Sequence, residues 1–531
     1  MNDDSSTRPG DVALDRRELL KGFAAAGAAG AGGRLAALAA GGLGSTLGLA
    51  ACRPAAPARP DLIRAENRKP GTTGWLLEHT GVDPGSRFRC SAIEGYCSRT
   101  SLRGGERLAI MVSTSPPSPF VIDLYRMGFY GGLGGRHLAR LGPFQGAAQP
   151  EPAIGPERVR DCRWPPAAEI AIPDDPTDWP SGVYLGKLTA LASGLQSYVV
   201  FIVRDDRPCD VLFQSSDNTW AAYNRWPSWF SLYDNGEKVW YWGPDVRVSW
   251  NRPYGKYCQI IDAPLSQGSG EFLLWELPAA FWLEQQGCDV SYIGNADTHT
   301  DREGLLRAKL WLSVGHDEYW TLDMYHNVMA ARDAGVNLAF LSGNACYGVV
   351  DYHPDAGGAA QRAIRRIGQY GPIDPRNVQD GFTELLRLRH NGPDESLLIG
   401  ARSGYPLTGG ADWVCARSRH WVFEHTGMDD GDRIPGLVGW EWHGNAAPIP
   451  GLEVVAEGPI GRWGGGPTYA ATVYPGPKGN FVFNGATCWW ADGLGAPPGY
   501  QHPAFKRARP RGPDPRVQRI TANLIRRATR A

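Results

Sequence analysis

Residues 309–320 read Lys309-Leu310-Trp311-Leu312-Ser313-Val314-Gly315-His316-Asp317-Glu318-Tyr319-Trp320. The run up to Val314 is short, apolar and closed by a glycine, which is how a strand buried on both faces reads. Beyond the acidic loop, Thr321 is placed to cap a helix that carries Leu322, Tyr325, Val328 and Met329 on one face. Gly335 is a natural helix stop, and residues 336–341 return as an apolar strand. Upstream, residues 210–214 and 289–293 repeat the strand pattern. Between them, residues 271–286 have helical spacing, with Pro278 as a kink and Gly287 as the stop. Strands that alternate with helices across short loops specify an α/β fold, a doubly wound and mainly parallel sheet, over residues 206–505.

The pattern differs on either side. Residues 86–205 contain short alternating runs at 107–113, 120–125, 182–188 and 197–203, bounded by Gly and Pro. That is the pattern of an immunoglobulin-like β-sandwich, so the chain combines α/β with all-β architecture. Residues 52–85 are rich in Pro and charge and read as a linker. After Gly343 the chain turns loop- and strand-rich, with a hairpin expected from 469–474 and 480–484. Residues 506–531 are basic and end in a helix bearing Val517, Ile520 and Leu524.

The amino terminus carries its own message. Arg16-Arg17 precedes an Ala-, Gly- and Leu-rich stretch that ends in Leu49-Ala50-Ala51-Cys52. An arginine pair before a mildly apolar segment reads as a twin-arginine signal over residues 1–51. The small residues before Cys52 resemble a lipobox, so lipid on Cys52 would tether an exported chain to the membrane on its periplasmic or cell-surface side. The formal net charge of −1 leaves no footprint for nucleic acid. Ten cysteines include no pair or cluster with zinc spacing, and Cys90 with Cys97 is the best disulfide candidate.

Ligands of a doubly wound sheet bind outside the carboxyl ends of its strands. That rule selects Gly315 to Trp320, Gly343-Asn344 after the next strand, and Asp217 to Asn224 after the first. A His, two acids, amides and aromatics thus meet at one mouth. Asp317 reads as a cap for the following helix.

Ser342-Gly343-Asn344, the phrase from Gly315 to Trp320, Asn218-Thr219-Trp220-Ala221-Ala222-Tyr223-Asn224, the run from Tyr125 to Gly132, and Trp179 to Leu185 stand in an order that resembles the large (β) subunit family of N,N-dimethylformamidase. The resemblance runs from about residue 93 to the carboxyl terminus and leaves no room for the family's extra lectin-like domain. It implies a mononuclear Fe(III), one per chain, held by two tyrosines and a glutamate. These fall on Tyr184, Tyr223 and Glu318, with the metal between the two domains. It also implies that His316 and Asn344 hydrogen-bond the substrate and that Glu441 activates water. A carboxyl set between Trp440 and Trp442 should have a raised pKa. The substrate would be a small amide, and a small subunit or a second copy of the chain would be the protein partner. Two other readings stand beside this one. Asn344-Ala345-Cys346 after a strand resembles the nucleophile turn of glutamine amidotransferases, whose fold is related, which would make the chain a cysteine amidase. Alternatively, a lipoprotein with abundant tryptophan would bind carbohydrate or peptide without catalysis.

Overall fold

A computed structural model describes residues 57–86, 88–238, 240–255, 267–373, 381–388, 390–460, 468–500 and 512–530. The arginine pair and Cys52 lie outside these residues. Strand Ala308–His316 runs through the middle of a seven-stranded sheet. The order across that sheet is Val290–Gly294, Cys209–Ser215, Ala308–His316, Asn337–Gly343, Phe481–Asn484, Thr468–Pro475 and Glu453–Pro459. The first five strands are parallel; the expected hairpin pairs Thr468–Pro475 antiparallel with Phe481–Asn484, and Glu453–Pro459 adds antiparallel as the sheet's edge. Strands 210–214, 309–314 and 336–341 are therefore parallel neighbours, as their apolar runs required. Leu212, Leu310, Trp311, Leu312, Leu338 and Phe340 are buried because the sheet is covered on both faces.

The helices follow their signals with one change. Thr321 caps Leu322–Ala334 by accepting the Met324 N–H, and Gly335 ends it at φ +113°. The expected kinked helix is two helices, Phe272–Trp275 and Leu277–Gln285, with Pro278 in the first turn of the second. Proline is at ease there, where its missing N–H has no helical partner to lose.

Ahead of this sheet, two further sheets enclose a core of their own. One orders Ser101–Arg103, Gln196–Arg204, Gly182–Ala190, Pro119–Met127 and Gly135–Gln145; the other orders Glu94–Cys97, Arg107–Ser113 and Ala168–Ala171. Ile110, Phe120, Ile122, Leu188 and Phe201 meet between them. The five-stranded sheet is covered on its outer face as well. Val183, Leu185, Val200 and Ile202 join one core with Leu277, Leu283 and Tyr292. Side chains alternate across a strand, so Val183 and Leu185 face the parallel sheet while Tyr184 faces the opposite way.

Residues 57–86 correct the linker reading. Helix Leu62–Glu66 and the segment after it bury Ile63, Trp75 and Leu77 in the shared core. Lys187 Nζ donates to the carbonyls of Gly74 and Leu76 at 3.0 and 2.6 Å. Three apolar anchors dispersed among prolines and charges suffice to dock the segment, and composition alone conceals them. Cys90 and Cys97 are separate buried thiols, with Cys97 inside the two-sheet core, so the disulfide pairing is not formed. Helix Pro515–Thr529 is capped by Asp514 and buries Val517, Ile520 and Leu524 against the same core. No helix among the described residues is long and apolar enough to cross a membrane.

Candidate functional site

At the carboxyl end of strand Ala308–His316 the backbone turns sharply. Gly315 has φ +71°, and a Cβ there would stand 2.6 Å from Trp275 Cβ, so only glycine lets this strand end pass beneath the helix. Asp317 is fully buried and accepts from Gln214 Nε2 at 2.6 Å, Ser313 Oγ at 3.0 Å and Asn295 Nδ2 at 3.1 Å. It braces neighbouring strand ends and does not cap the next helix, because Thr321 already does. Glu318 is fixed through its backbone. Its N–H donates to Thr219 Oγ1 at 3.0 Å, and its carbonyl accepts from the N–H groups of Tyr347 and Gly348 at 2.8 and 3.0 Å.

The Glu318 carboxylate meets two phenols. Tyr223 ends helix Asp217–Tyr223 and donates to Glu318 Oε2 at 2.7 Å. Tyr233 OH lies 2.6 Å from Tyr223 OH and 3.0 and 3.1 Å from the two Glu318 oxygens. Tyr319 OH contacts Tyr233 OH, and Arg366 Nη2 donates to Tyr319 OH at 2.6 Å. On the other side, His316 Nε2 is 3.4 Å from Glu318 Oε2 and abuts Glu441 Oε2. Asn344 Nδ2 donates to the same Glu441 oxygen at 3.1 Å. None of Tyr223, Tyr233, Glu318, His316, Glu441 and Asn344 is more than 3% exposed.

Five of the six expected site residues thus converge. Tyr184 does not. Its hydroxyl donates to the Pro180 carbonyl at 2.6 Å, and its ring stacks between Trp179 and Phe201 in the core between the two β-sheets. Strand alternation puts it on the face away from the parallel sheet, so no site forms between the two regions through Tyr184. Tyr233, ten residues after Tyr223 in the same aromatic insertion, brings a second phenol to the Glu318 carboxylate. Nothing in its sequence context separates it from neighbouring Trp229, Phe230 and Tyr241. Only the fold of the insertion back over the strand end does so.

Burial dominates the electrostatics. It pushes the Glu318 carboxyl up to about 7, with the nearby Glu441 charge adding to the shift. Burial lifts Glu441 well above the ordinary carboxylate range, against the Asn344 hydrogen bond. Burial also lowers His316 to about 4, despite Glu318 and Asp317, so its ring is neutral near neutral pH. Both Tyr223 and Tyr233 are raised well above their ordinary value by burial, then by the Glu318 charge. The Arg366 guanidinium lies 4.8 Å from the Tyr233 ring centroid, but its hydrogen bonds go to Tyr319 OH and the Tyr241 carbonyl and not to a carboxylate.

These residues fit a hard trivalent or divalent cation. Oxygens on an octahedral ion with bonds of about 2.0–2.1 Å sit about 2.9 Å apart. The Tyr223, Tyr233 and Glu318 oxygens stand 2.6–3.1 Å from one another. Phenolate and carboxylate are hard anionic donors, suited to such an ion.

The two other readings meet obstacles. Cys346 is fully buried in an apolar core, and burial pushes its thiol well up. His443 reaches that turn from another strand, but its Nε2 accepts the Ala345 N–H at 3.0 Å and its Nδ1 meets Asn484 Oδ1 at 2.7 Å. Trp226, Trp311, Trp320, Trp413, Trp489 and Trp490 are fully buried, so they build cores and not a sugar platform.

No curated protein matches the chain. The family described as N,N-dimethylformamidase beta subunit-like, C-terminal, matches residues 121–503, most of the chain and all six of the clustered side chains. The chain belongs to the N,N-dimethylformamidase beta subunit-like family.

Proposed function

We propose that this protein hydrolyses the C–N bond of a small amide, with Fe(III) held by Tyr223, Tyr233 and Glu318. The observation that carries the proposal is the set of two phenols and one carboxylate gathered within 3.1 Å in a buried site. Among the described residues, no Lys or Arg makes an ion pair with Glu318 or Glu441. The buried Arg366 charge reaches Glu318 without pairing it, and burial dominates at both Glu318 and Glu441, so these oxygens are unfavourable as anions unless a further cation joins them.

Bound there, the ferric ion supplies Lewis-acid polarisation of the amide carbonyl or of water. The remaining work falls to side chains of this chain. Glu441 takes the proton of the attacking water, and its raised pKa makes the carboxylate a stronger base than an exposed one. Asn344 holds the Glu441 carboxylate in place and, with the neutral His316, presents hydrogen-bonding groups to the tetrahedral oxyanion. Glu441 then returns the proton to the leaving nitrogen, so the acid and amine products balance the added water. Trp275, Trp489 and Trp440 pack with Cys488, and the Trp275 ring stands beside His316.

Purified protein should carry close to one iron per chain and a visible phenolate-to-iron colour. Glu441→Gln should keep both while losing hydrolysis of N,N-dimethylformamide, used as the probe amide. Colourless, iron-free protein from the native host would sink the proposal. The same reading has the chain exported by the twin-arginine route and lipid-anchored at Cys52, acting alone, as a homo-oligomer or with a small subunit. Arg16→Lys with Arg17→Lys should leave uncleaved precursor in the cytoplasm, and normal export of that variant would remove this part.

A further inference from the structure

A second donor set adjoins the oxygen triad. His316 and Glu441 lie with Cys488 in a fully buried group whose ligand atoms are all within 4.8 Å of one another. Neither ring nitrogen of His316 makes a directed hydrogen bond, which leaves Nε2 facing the Glu441 and Glu318 carboxylates. Cys488 Sγ rests 3.4 Å from the Gly343 carbonyl. The backbone sets this arrangement. Cys488 N–H donates to the Glu441 carbonyl at 3.2 Å, and Gly343 lets both chains close in. A Cβ on Gly343 would stand 2.2 Å from the Glu441 oxygen and 2.7 Å from the Cys488 nitrogen.

The chemistry of this set differs from that of its neighbour. Imidazole, carboxylate and thiolate together favour a borderline-soft ion, whereas three oxygens favour a hard one. Zinc sites with three protein ligands and one open position use such donors, at bonds of about 2.0–2.3 Å and ligand separations of about 3.3–3.8 Å. Reaching that spacing needs about 1 Å of side-chain movement, with Cys488 Sγ closing in while His316 Nε2 and Glu441 Oε2, which abut, move apart.

We propose that His316, Glu441 and Cys488 bind a zinc-class divalent cation, and that this cation antagonises the hydrolase. Binding stands on the geometry of the three side chains. Antagonism rests on the proposed function, because the cation would occupy the imidazole and the carboxylate assigned there to the oxyanion and to water. The thiol proton leaves to solvent when the metal–sulfur bond forms, so no redox partner is involved.

Metal-free, full-length protein titrated with Cd2+ alone should develop a thiolate-to-cadmium ultraviolet band at one ion per chain. The band should persist in Tyr223→Phe/Tyr233→Phe, which dismantles the oxygen triad. It should vanish in Cys488→Ser and in Cys488→Ala. Zn2+ affinity should fall more than about 100-fold in both, since loss of mere outer-shell partners of a metal site already costs about 10- to 100-fold. Bound cadmium without the band in the wild-type protein overturns the site even if neither cysteine variant folds. Undiminished zinc affinity in a folded cysteine variant does the same. With iron-loaded protein and N,N-dimethylformamide, Zn2+ should stop turnover at its binding midpoint while the iron colour stays. Bleaching in step with zinc binding would mean displacement of iron and would overturn the antagonism. If the protein never holds iron, the proposed function fails while the cadmium band still decides the site.

Discussion

Two buried clusters in this molecule use the same residue types to opposite ends. At the junction of the five-stranded and parallel sheets, Arg126 grips both oxygens of Glu284 at 2.9 Å, with both side chains wholly buried. Tyr292 OH adds a bond to Glu284 at 3.0 Å, and Tyr130 OH links Arg126 to Glu66. Glu66 is further paired with Lys69 and Arg136. At the strand ends, Tyr223, Tyr233, Glu318 and Glu441 crowd together, and among the described residues no arginine or lysine forms an ion pair with either acid. The first cluster is a clasp, complete in itself. The second crowds its acids and phenols near one buried guanidinium, Arg366, which bonds Tyr319 and not a carboxylate, and the proposed function gives the remaining place to a cation from outside.

The largest expected effect breaks the clasp. Arg126→Met leaves Glu284 buried without its cation and should cost about 3–5 kcal/mol, read from urea unfolding. Glu318→Gln in the metal-free protein should shift the same midpoint far less, because no ion pair holds that charge and burial outweighs the partial offset from Arg366. Equal losses in the two variants would erase the distinction between clasp and socket.

Metal binding sharpens the comparison. Tyr223→Phe and Tyr233→Phe each delete a proposed ligand and keep the ring, so each should change the iron colour and lower iron retention by more than about 100-fold. Tyr184→Phe should leave colour and iron untouched. It loses one buried hydrogen bond, worth about 1 kcal/mol of stability. Iron loss in Tyr184→Phe without unfolding would restore the ligand set implied by the resemblance and dismiss Tyr233.

That pair of tyrosines also measures how far the sequence could be read. The parallel strands were legible because burial on both faces writes an unbroken apolar run, and His316, Glu318 and Asn344 followed from the strand-end rule. Tyr223 lay both in a strand-end segment and in a phrase shared with the family, and Glu441 was chosen to fill a role that the resemblance implies, between Trp440 and Trp442. Tyr233 was hidden, since an insertion dense in Trp and Tyr gives no periodicity to say which ring faces the strand end. Tyr184 was misplaced for the converse reason. Its strand is buried on both faces, so alternation was masked, and the side it faces is decided by packing on the helix Leu277–Gln285. Cys488 carries no motif and meets His316 only because Gly343 permits close approach of the backbone.

The smallest expected effect is a pH dependence of the clasp. Burial alone would raise the Glu66 carboxyl, but Arg126, Lys69, Tyr130 and Arg136 together hold it below its ordinary 4.5. A depressed carboxyl pKa stabilises the folded state fully above the unfolded value, where both states are ionised. As pH falls below about 4.5 the unfolded chain takes up the proton first, and the contribution is lost through the lower folded value. Stability from urea midpoints should therefore decline on acidification in the wild-type protein. Glu66→Gln should start lower at neutral pH and decline less over the same range, because its amide cannot titrate. The iron colour at neutral pH should be unchanged in this variant, since the clasp and the socket share no side chain. A parallel decline in both proteins would assign the acid sensitivity to other carboxyls and leave Glu66 a packing residue.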